Sequence, residues 1–108
     1  MAYGGFGGGN MQQLMKQAQA MQRKLQEAQE EIAETEVTGS AAGGMVEVTM
    51  TGDKTPVSVT IKPEAVDPDD VEMLEDMILA ALNDANEKAE KLSKDLMGPL
   101  GGMGNGLF

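Results

Sequence analysis

The sequence predicts an α+β protein with the element order α-β-β-β-α, in which two long helices flank a small antiparallel sheet. Apolar residues recur at helical spacing in residues 10–34 and again in residues 67–97. Between these segments the apolar positions alternate with a period of two, as in strands with one buried face. Residues 10–97 are predicted to form a single domain. The glycine-rich segments on either side of it, residues 1–9 and 98–108, are predicted to be flexible tails.

The first helix is predicted to run from an N-cap at Asn10 to about Glu34. Its apolar side chains keep a 3,4 spacing over three heptads, which predicts a seam that another helix covers. The seam consists of Met11, Leu14, Ala18, Met21, Leu25, Ala28 and Ile32. The side chains opposite this seam carry the candidate function.

A cationic strip without acidic residues lies on the opposite side of the same helix. Lys16, Arg23 and Lys24 fall within residues 11–26, a stretch that contains no carboxylate although the chain has a formal net charge of -10. Long polar donors complete the strip, whose members are Gln12, Lys16, Gln19, Arg23 and Lys24. Side chains of this kind can follow a line of phosphates, so the strip is a candidate DNA-binding site. The alternative is a solvated helix face.

Three strands and a second helix follow from the remaining pattern. A hairpin is predicted from 45–51 and 57–61, with the turn at Gly52, Asp53 and Lys54, and a third short strand near Val37 with a loop over Gly39–Gly44. An N-cap at Asp67 then starts the second helix, which Gly98-Pro99 ends. Its acid-before-base pairs at i,i+4 indicate locally neutralised lysines: Asp84 with Lys88, Glu87 with Lys91 and Glu90 with Lys94.

Size and composition predict an oligomer. A domain of about 88 residues is marginally stable without disulfides, metals or a second subunit. The chain has no cysteine and no histidine, and its three aromatic residues, Tyr3, Phe6 and Phe108, all lie in the predicted tails. A homodimer that buries the seam would supply the missing apolar area. No apolar run is long enough to span a membrane, and the N-terminus lacks a secretory pattern, so we expect a cytoplasmic protein.

Enzymatic chemistry is not expected. Without histidine or cysteine, no serine or threonine has an evident base, and no serine motif resembles a nucleophile elbow. The glycine run at 4–9 lacks a preceding strand and a Gly-Lys-Ser/Thr ending, so it is not a phosphate-binding loop. The acids at 67–72 break the spacing of a calcium loop and are explained by a helix cap. We therefore expect no catalytic residue, metal, cofactor or small-molecule substrate.

The sequence resembles the YbaB/EbfC family of bacterial nucleoid-associated proteins over about residues 11–97. The matching blocks are Leu14-Met15-Lys16-Gln17-Ala18-Gln19-Ala20-Met21-Gln22, Glu30-Glu31-Ile32, Glu36-Val37-Thr38-Gly39, Glu72-Met73-Leu74-Glu75-Asp76 and Ala80-Ala81-Leu82-Asn83-Asp84-Ala85. The resemblance implies a cytoplasmic, tweezer-like homodimer whose sheets meet at the centre while helices project as arms. It also implies binding to double-stranded DNA in the nucleoid, with no catalytic residue to carry over.

Two other functions remain open at the level of sequence. The protein could be a non-catalytic adaptor or holdase-like protein that acts through helix–helix contacts, in outline similar to a prefoldin subunit. Alternatively, an acidic nucleoid protein could act with a recombination or repair protein and reach DNA only in its company. Methionine-rich seams suit such contacts because their side chains adapt to different partners.

Overall fold

The computed structural model describes the backbone of residues 2–107 and the side chains of residues 10–98. Its elements, in chain order, are α1 (Ala2–Glu34), β1 (Glu36–Ala41), a 3-10 turn (Ala42–Gly44), β2 (Val46–Thr51), β3 (Pro56–Ile61), a second 3-10 turn (Pro63–Ala65) and α2 (Val71–Leu107). The predicted order α-β-β-β-α is confirmed. No helix among the described residues is long and apolar enough to cross a membrane.

The three strands form an antiparallel sheet in the order β1-β2-β3. Val48 lies opposite Gly39 on β1 and opposite Val59 on β3, and a bulge shifts the β2–β3 register between Thr49 and Met50. One sheet face is apolar and meets α2, whereas Thr38 and Thr49 share a hydrogen bond of 3.0 Å on the other, polar face. The alternation predicted from the sequence therefore sorts the two faces correctly.

The core lies between β2 and α2. Val46, Val48 and Met50 are at most 2% exposed and pack against a row of small residues on the helix, Ala81, Ala85 and Ala89, each 0% exposed. Small side chains at helical spacing let α2 approach the sheet closely. The core among the described side chains is thus aliphatic, because the aromatic residues of the chain all lie outside residues 10–98.

The first strand is longer than predicted, because Gly39 belongs to β1 and not to the following loop. A Cβ at Gly39 would lie 2.1 Å from the backbone N of Ala85 and 2.4 Å from the backbone O of Ala81. Only glycine permits this approach of strand and helix. The connection to β2 shortens accordingly to residues 42–45, of which Ala42, Gly43 and Gly44 have positive φ.

The N-cap of the second helix lies three residues after the predicted one, and the helix itself begins at Val71. Asp67 accepts a hydrogen bond from the Asp69 N–H at 3.0 Å, and its carbonyl accepts one from the Asp70 N–H at 2.9 Å, so residues 67–70 form a turn around Pro68. The N-cap is Asp70, whose side chain accepts from the Met73 N–H at 3.1 Å. The prediction of an N-cap at Asp67 was wrong because an aspartate before proline also suits a turn.

Both helices extend beyond the predicted domain bounds. α1 begins at Ala2 rather than at a cap on Asn10, and α2 passes Gly98 and ends at Leu107. Glycine weakens a helix without preventing it, by about 1 kcal/mol per residue relative to alanine. The side chains of Tyr3, Phe6 and Phe108 lie outside the described residues, as do those of most of the predicted tails, 1–9 and 98–108.

Candidate nucleic-acid interface

The cationic strip lies on the surface of α1. Gln12, Lys16, Gln19, Arg23 and Lys24 are all exposed, and so is every residue from 10 to 20. Residues 12 and 23 are eleven positions apart, about 16 Å along the helix axis. Among the described side chains the sole salt bridge joins Lys88 to Asp84, so no carboxylate neutralises the strip directly.

The apolar seam of α1 is covered at one end only. Ala28 and Ile32 are 8% and 6% exposed, and Met21 and Leu25 are half-buried. Toward the N-terminus the seam opens, since Leu14 is 61% exposed, as is Met11, and Ala18 is exposed too. The C-terminal end of α1 is therefore fixed to α2 and β2, while residues 10–20 offer both apolar and cationic side chains to a partner.

Two polar side chains of α2, Asp84 and Lys88, cover the edge of the sheet that β1 forms, and we call this pair the clip. Asp84 accepts a hydrogen bond from the Ser40 N–H at 2.9 Å, and Lys88 donates to the Thr38 carbonyl at 2.9 Å. The two side chains also contact each other at 3.2 Å. The Ser40 hydrogen bond, helped by Lys88, lowers the pKa of Asp84 below its usual value. Edge strands pair readily with other chains, and the clip blocks this edge.

The opposite edge of the sheet is open and apolar. Val59 shares the face of the buried Val48 but is 55% exposed, because α2 packs over β1 and β2. Leu82 lies on the flank of α2 away from Asp84 and is 39% exposed. Further exposed apolar residues nearby in sequence are Val57, Val66, Val71 and Leu79. The uncovered apolar face of β3 is a surface suited to a second protein chain.

A cleft between the β2–β3 turn and α2 is a surface feature that sequence reasoning missed. Its lining residues are Gly52, Asp53, Lys54, Glu90, Ser93 and Lys94, and its volume is about 370 Å³. We call it the turn cleft. Lys54 and Lys94 are forty positions apart and belong to different elements, so no local spacing in the sequence could have paired them.

The turn that forms one wall is firmly held. The Gly52 N–H donates to the carbonyls of Ile32 and Thr35, both at 2.9 Å, which ties the turn to the end of α1. Asp53 accepts hydrogen bonds from the hydroxyl of Thr51 and from the Thr55 N–H, and these hydrogen bonds lower its pKa. Lys54 has a left-handed backbone with φ of 69°.

Fewer lysines of α2, the helix that forms the other wall of the cleft, are paired with acidic residues than the sequence predicted. Of the three predicted i,i+4 pairs, only Asp84–Lys88 forms a salt bridge among the described side chains. Glu87–Lys91 and Glu90–Lys94 do not come within 4.0 Å. The reason is that Asp84 and Lys88 are also anchored by backbone groups of β1, whereas an exposed pair without such anchors gains little from contact. Lys94 is therefore not neutralised by direct contact.

The fold and these surfaces define a class of small α+β protein, in which both helices of an α-β-β-β-α subunit extend from a three-stranded sheet. A crystal structure of an uncharacterized protein from Helicobacter pylori has this fold, with a TM-score of 0.70 and 26% identity over 82% of this chain and 94% of that one. The sequence profile of the YbaB/EbfC DNA-binding family matches residues 7–104. The chain belongs to that family.

Relatives named nucleoid-associated protein match most of the chain. One from Chloroflexus aurantiacus is 54% identical over 99 residues, which cover 92% of this chain and 99% of the relative. Another from Clostridium botulinum is 55% identical over 106 residues, which cover 97% of this chain and 94% of the relative. The resemblance drawn from the sequence blocks is thereby confirmed at the level of family.

Proposed function

We propose that this protein binds double-stranded DNA as a homodimer, through phosphate contacts and with little dependence on base sequence. The observation that carries the proposal is the exposure of Lys16, Arg23 and Lys24 on a part of α1 that contains no carboxylate and makes no salt bridge to the described residues. Contacts to phosphates position a protein on DNA without reading bases. The names of the relatives support a place in the nucleoid, within the cytoplasm.

The homodimer is supported by the asymmetry between the two sheet edges. The clip of Asp84 and Lys88 covers β1, whereas Val59 and Leu82 leave the β3 side apolar and open. Association of two copies through the β3 side would bury this surface, and twofold symmetry would make the contact self-complementary. Such a dimer carries the strip twice and so offers six cations to one duplex.

The salt dependence of DNA affinity tests the proposal. Each neutralised phosphate releases counterions, so the affinity for a duplex of random sequence falls with salt. Six contacts predict a slope near -5 for the logarithm of the binding constant against the logarithm of salt concentration, between about 50 and 200 mM. A flat response would exclude phosphate contacts as the basis of binding.

Charge reversal on the strip tests whether its cations cause the salt dependence of DNA binding. We expect the double variant Lys16→Glu, Arg23→Glu to abolish the salt-dependent binding, because it places four acidic groups on the strips of the dimer. Lys62→Glu with Lys91→Glu is the matched control, since both lysines are also exposed but lie outside α1 and the turn cleft. Equal losses in both variants would mean that net charge alone, and not the strip, governs affinity.

A second candidate function, contact with a protein partner, is favoured by the open end of the seam. Met11, Leu14 and Met15 are 61%, 61% and 58% exposed and lie at the spacing of a helix docking face. A partner in recombination or repair, a broader role in nucleoid organisation or gene expression, or an adaptor or holdase role would use this face. A pull-down from nuclease-treated lysate tests for a partner. Suppression of client aggregation without a duplex mobility shift would favour the holdase.

A further inference from the structure

Two lysine side chains that do not belong to the cationic strip, Lys54 and Lys94, line the turn cleft. We propose that the turn cleft binds one phosphate group of the DNA backbone, with Lys54 and Lys94 as cationic contacts and the Ser93 hydroxyl as a hydrogen-bond donor. This inference rests on the DNA binding proposed above. The three side chains line one cleft although they come from the β2–β3 turn and from α2. The site extends the DNA contact from the arm of α1 to the body of the subunit.

Both ammonium groups are available to an external anion. The salt bridge of Lys88 with Asp84 involves neither of them, and it is the sole salt bridge among side chains of residues 10–98. Lysine binds phosphate as a flexible point charge, and a hydroxyl adds a directional donor. This combination of donors is the chemistry that recognises a phosphodiester rather than a base edge.

The carboxylates of the cleft set its strength. Asp53 accepts hydrogen bonds from Thr51 and Thr55 within the turn, but these donors are uncharged, so its negative charge remains and also opposes a phosphate. The side chain of Glu90 makes no hydrogen bond or salt bridge with the described residues. Its negative charge opposes an incoming phosphate and keeps the cleft weaker than the strip.

The cleft has the room and the support that a phosphate site needs. A volume of about 370 Å³ equals roughly a dozen water molecules at about 30 Å³ each, enough for a partly hydrated phosphate. One wall is braced by the hydrogen bonds of Gly52 to Ile32 and Thr35, and the other is the continuous helix α2. Donors on braced elements lose less conformational freedom when they bind.

The cleft lies beyond the C-terminal end of the strip along α1. Gly52 is bonded to Ile32, which follows Lys24 by eight residues, or about 12 Å along the axis of α1. Phosphates of one strand advance by about 3.4 Å per base pair along the duplex, so this interval corresponds to roughly four base pairs. Along the helix axis this interval matches the phosphate repeat of a duplex, and a duplex that contacts both sites has to pass from the strip to the side of α1 that carries the seam.

The slope of the salt dependence tests the cleft separately from the strip. We expect Lys54→Gln with Lys94→Gln to reduce the magnitude of the slope by about 1 for each cleft that the duplex occupies. Lys62→Gln, an exposed lysine outside the cleft, should leave it unchanged. If Lys54→Gln with Lys94→Gln leaves the slope unchanged while Lys16→Glu, Arg23→Glu still abolishes binding, the cleft proposal is overturned and the proposed function stands. If DNA binding and its salt dependence are unchanged in both variants, the cleft proposal and the proposed function are both overturned.

A gain of affinity provides a test that misfolding cannot imitate. Glu90→Gln removes the opposing charge, and we expect the affinity for random duplex to rise about two- to fivefold, the range of one exposed charge interaction. Glu87→Gln is the control, because Glu87 is exposed on the same helix but does not line the cleft. Equal gains in both variants would show a general charge effect and overturn the cleft.

Discussion

At the scale of single residues, two glycines decide how the helices meet the sheet. Their sequence context suggested loop and turn positions, which is where glycine is most common. In the structure Gly39 lies against the backbone of α2, and a Cβ at Gly52 would lie 2.7 Å from the carbonyl of Ile32. A glycine that permits close packing and a glycine that permits a turn look alike in one sequence. The extent of β1 was therefore not predictable.

Gly39→Ala is expected to lower the free energy of unfolding by about 3 kcal/mol, because its Cβ would overlap backbone atoms of Ala81 and Ala85 that cannot turn aside. Urea denaturation measures the change. Gly98→Ala is the control, since a Cβ there meets no atom within 4 Å. Similar stabilities for Gly39→Ala and the unmodified protein would show that α2 does not pack this closely on β1.

At the scale of elements, periodicity predicted the order and faces of the helices and strands but not their contacts across the sequence. The apolar period of residues 45–61 predicted β2 and β3, and the 3,4 spacing predicted both helices. The pairing of Asp84 and Lys88 along α2 was also predictable. Their role as a clip on β1 was not, because Thr38 and Ser40 bind them through backbone atoms, which every residue has.

The clip makes the stability of the β1 edge depend on pH. The pKa of Asp84 is lowered by the hydrogen bond from Ser40 and by Lys88, so the charged carboxylate stabilises the fold above the unfolded value of about 3.9 and loses this effect as pH falls through the lower folded value. Asp84→Asn should therefore reduce stability at pH 7 and converge with the unmodified protein at acid pH.

Urea unfolding at about pH 7 and about pH 3 measures this convergence. Asp76→Asn serves as the control, because Asp76 is exposed on the same helix and has no hydrogen bond to the described residues. A deficit of Asp84→Asn that is the same at both pH values would contradict a role for the carboxylate charge and assign the loss to side-chain geometry alone.

At the scale of the whole molecule, the distribution of charge matters more than its sum. The net charge of -10 argues against a polyanionic partner, yet residues 11–26 are free of carboxylates, and Lys54 and Lys94 converge on one cleft. The first of these features could be read from the sequence, because it is local along one helix. The second required the fold. The DNA-binding role of the strip and of the cleft both stay predictions.

The assembly of two subunits through the open side of the sheet is the last prediction. Val59→Glu would place a charge where an apolar face meets its partner, so we expect the mass in solution to fall from twice 11.4 kDa to that of one chain, as measured by sedimentation. Ser58→Glu is the control, because Ser58 is exposed and pairs with the uncharged Thr49 on the polar sheet face. DNA affinity should fall with Val59→Glu at the same time, since each monomer carries only one strip. If Val59→Glu keeps the mass of the unmodified protein, the subunits do not associate through β3.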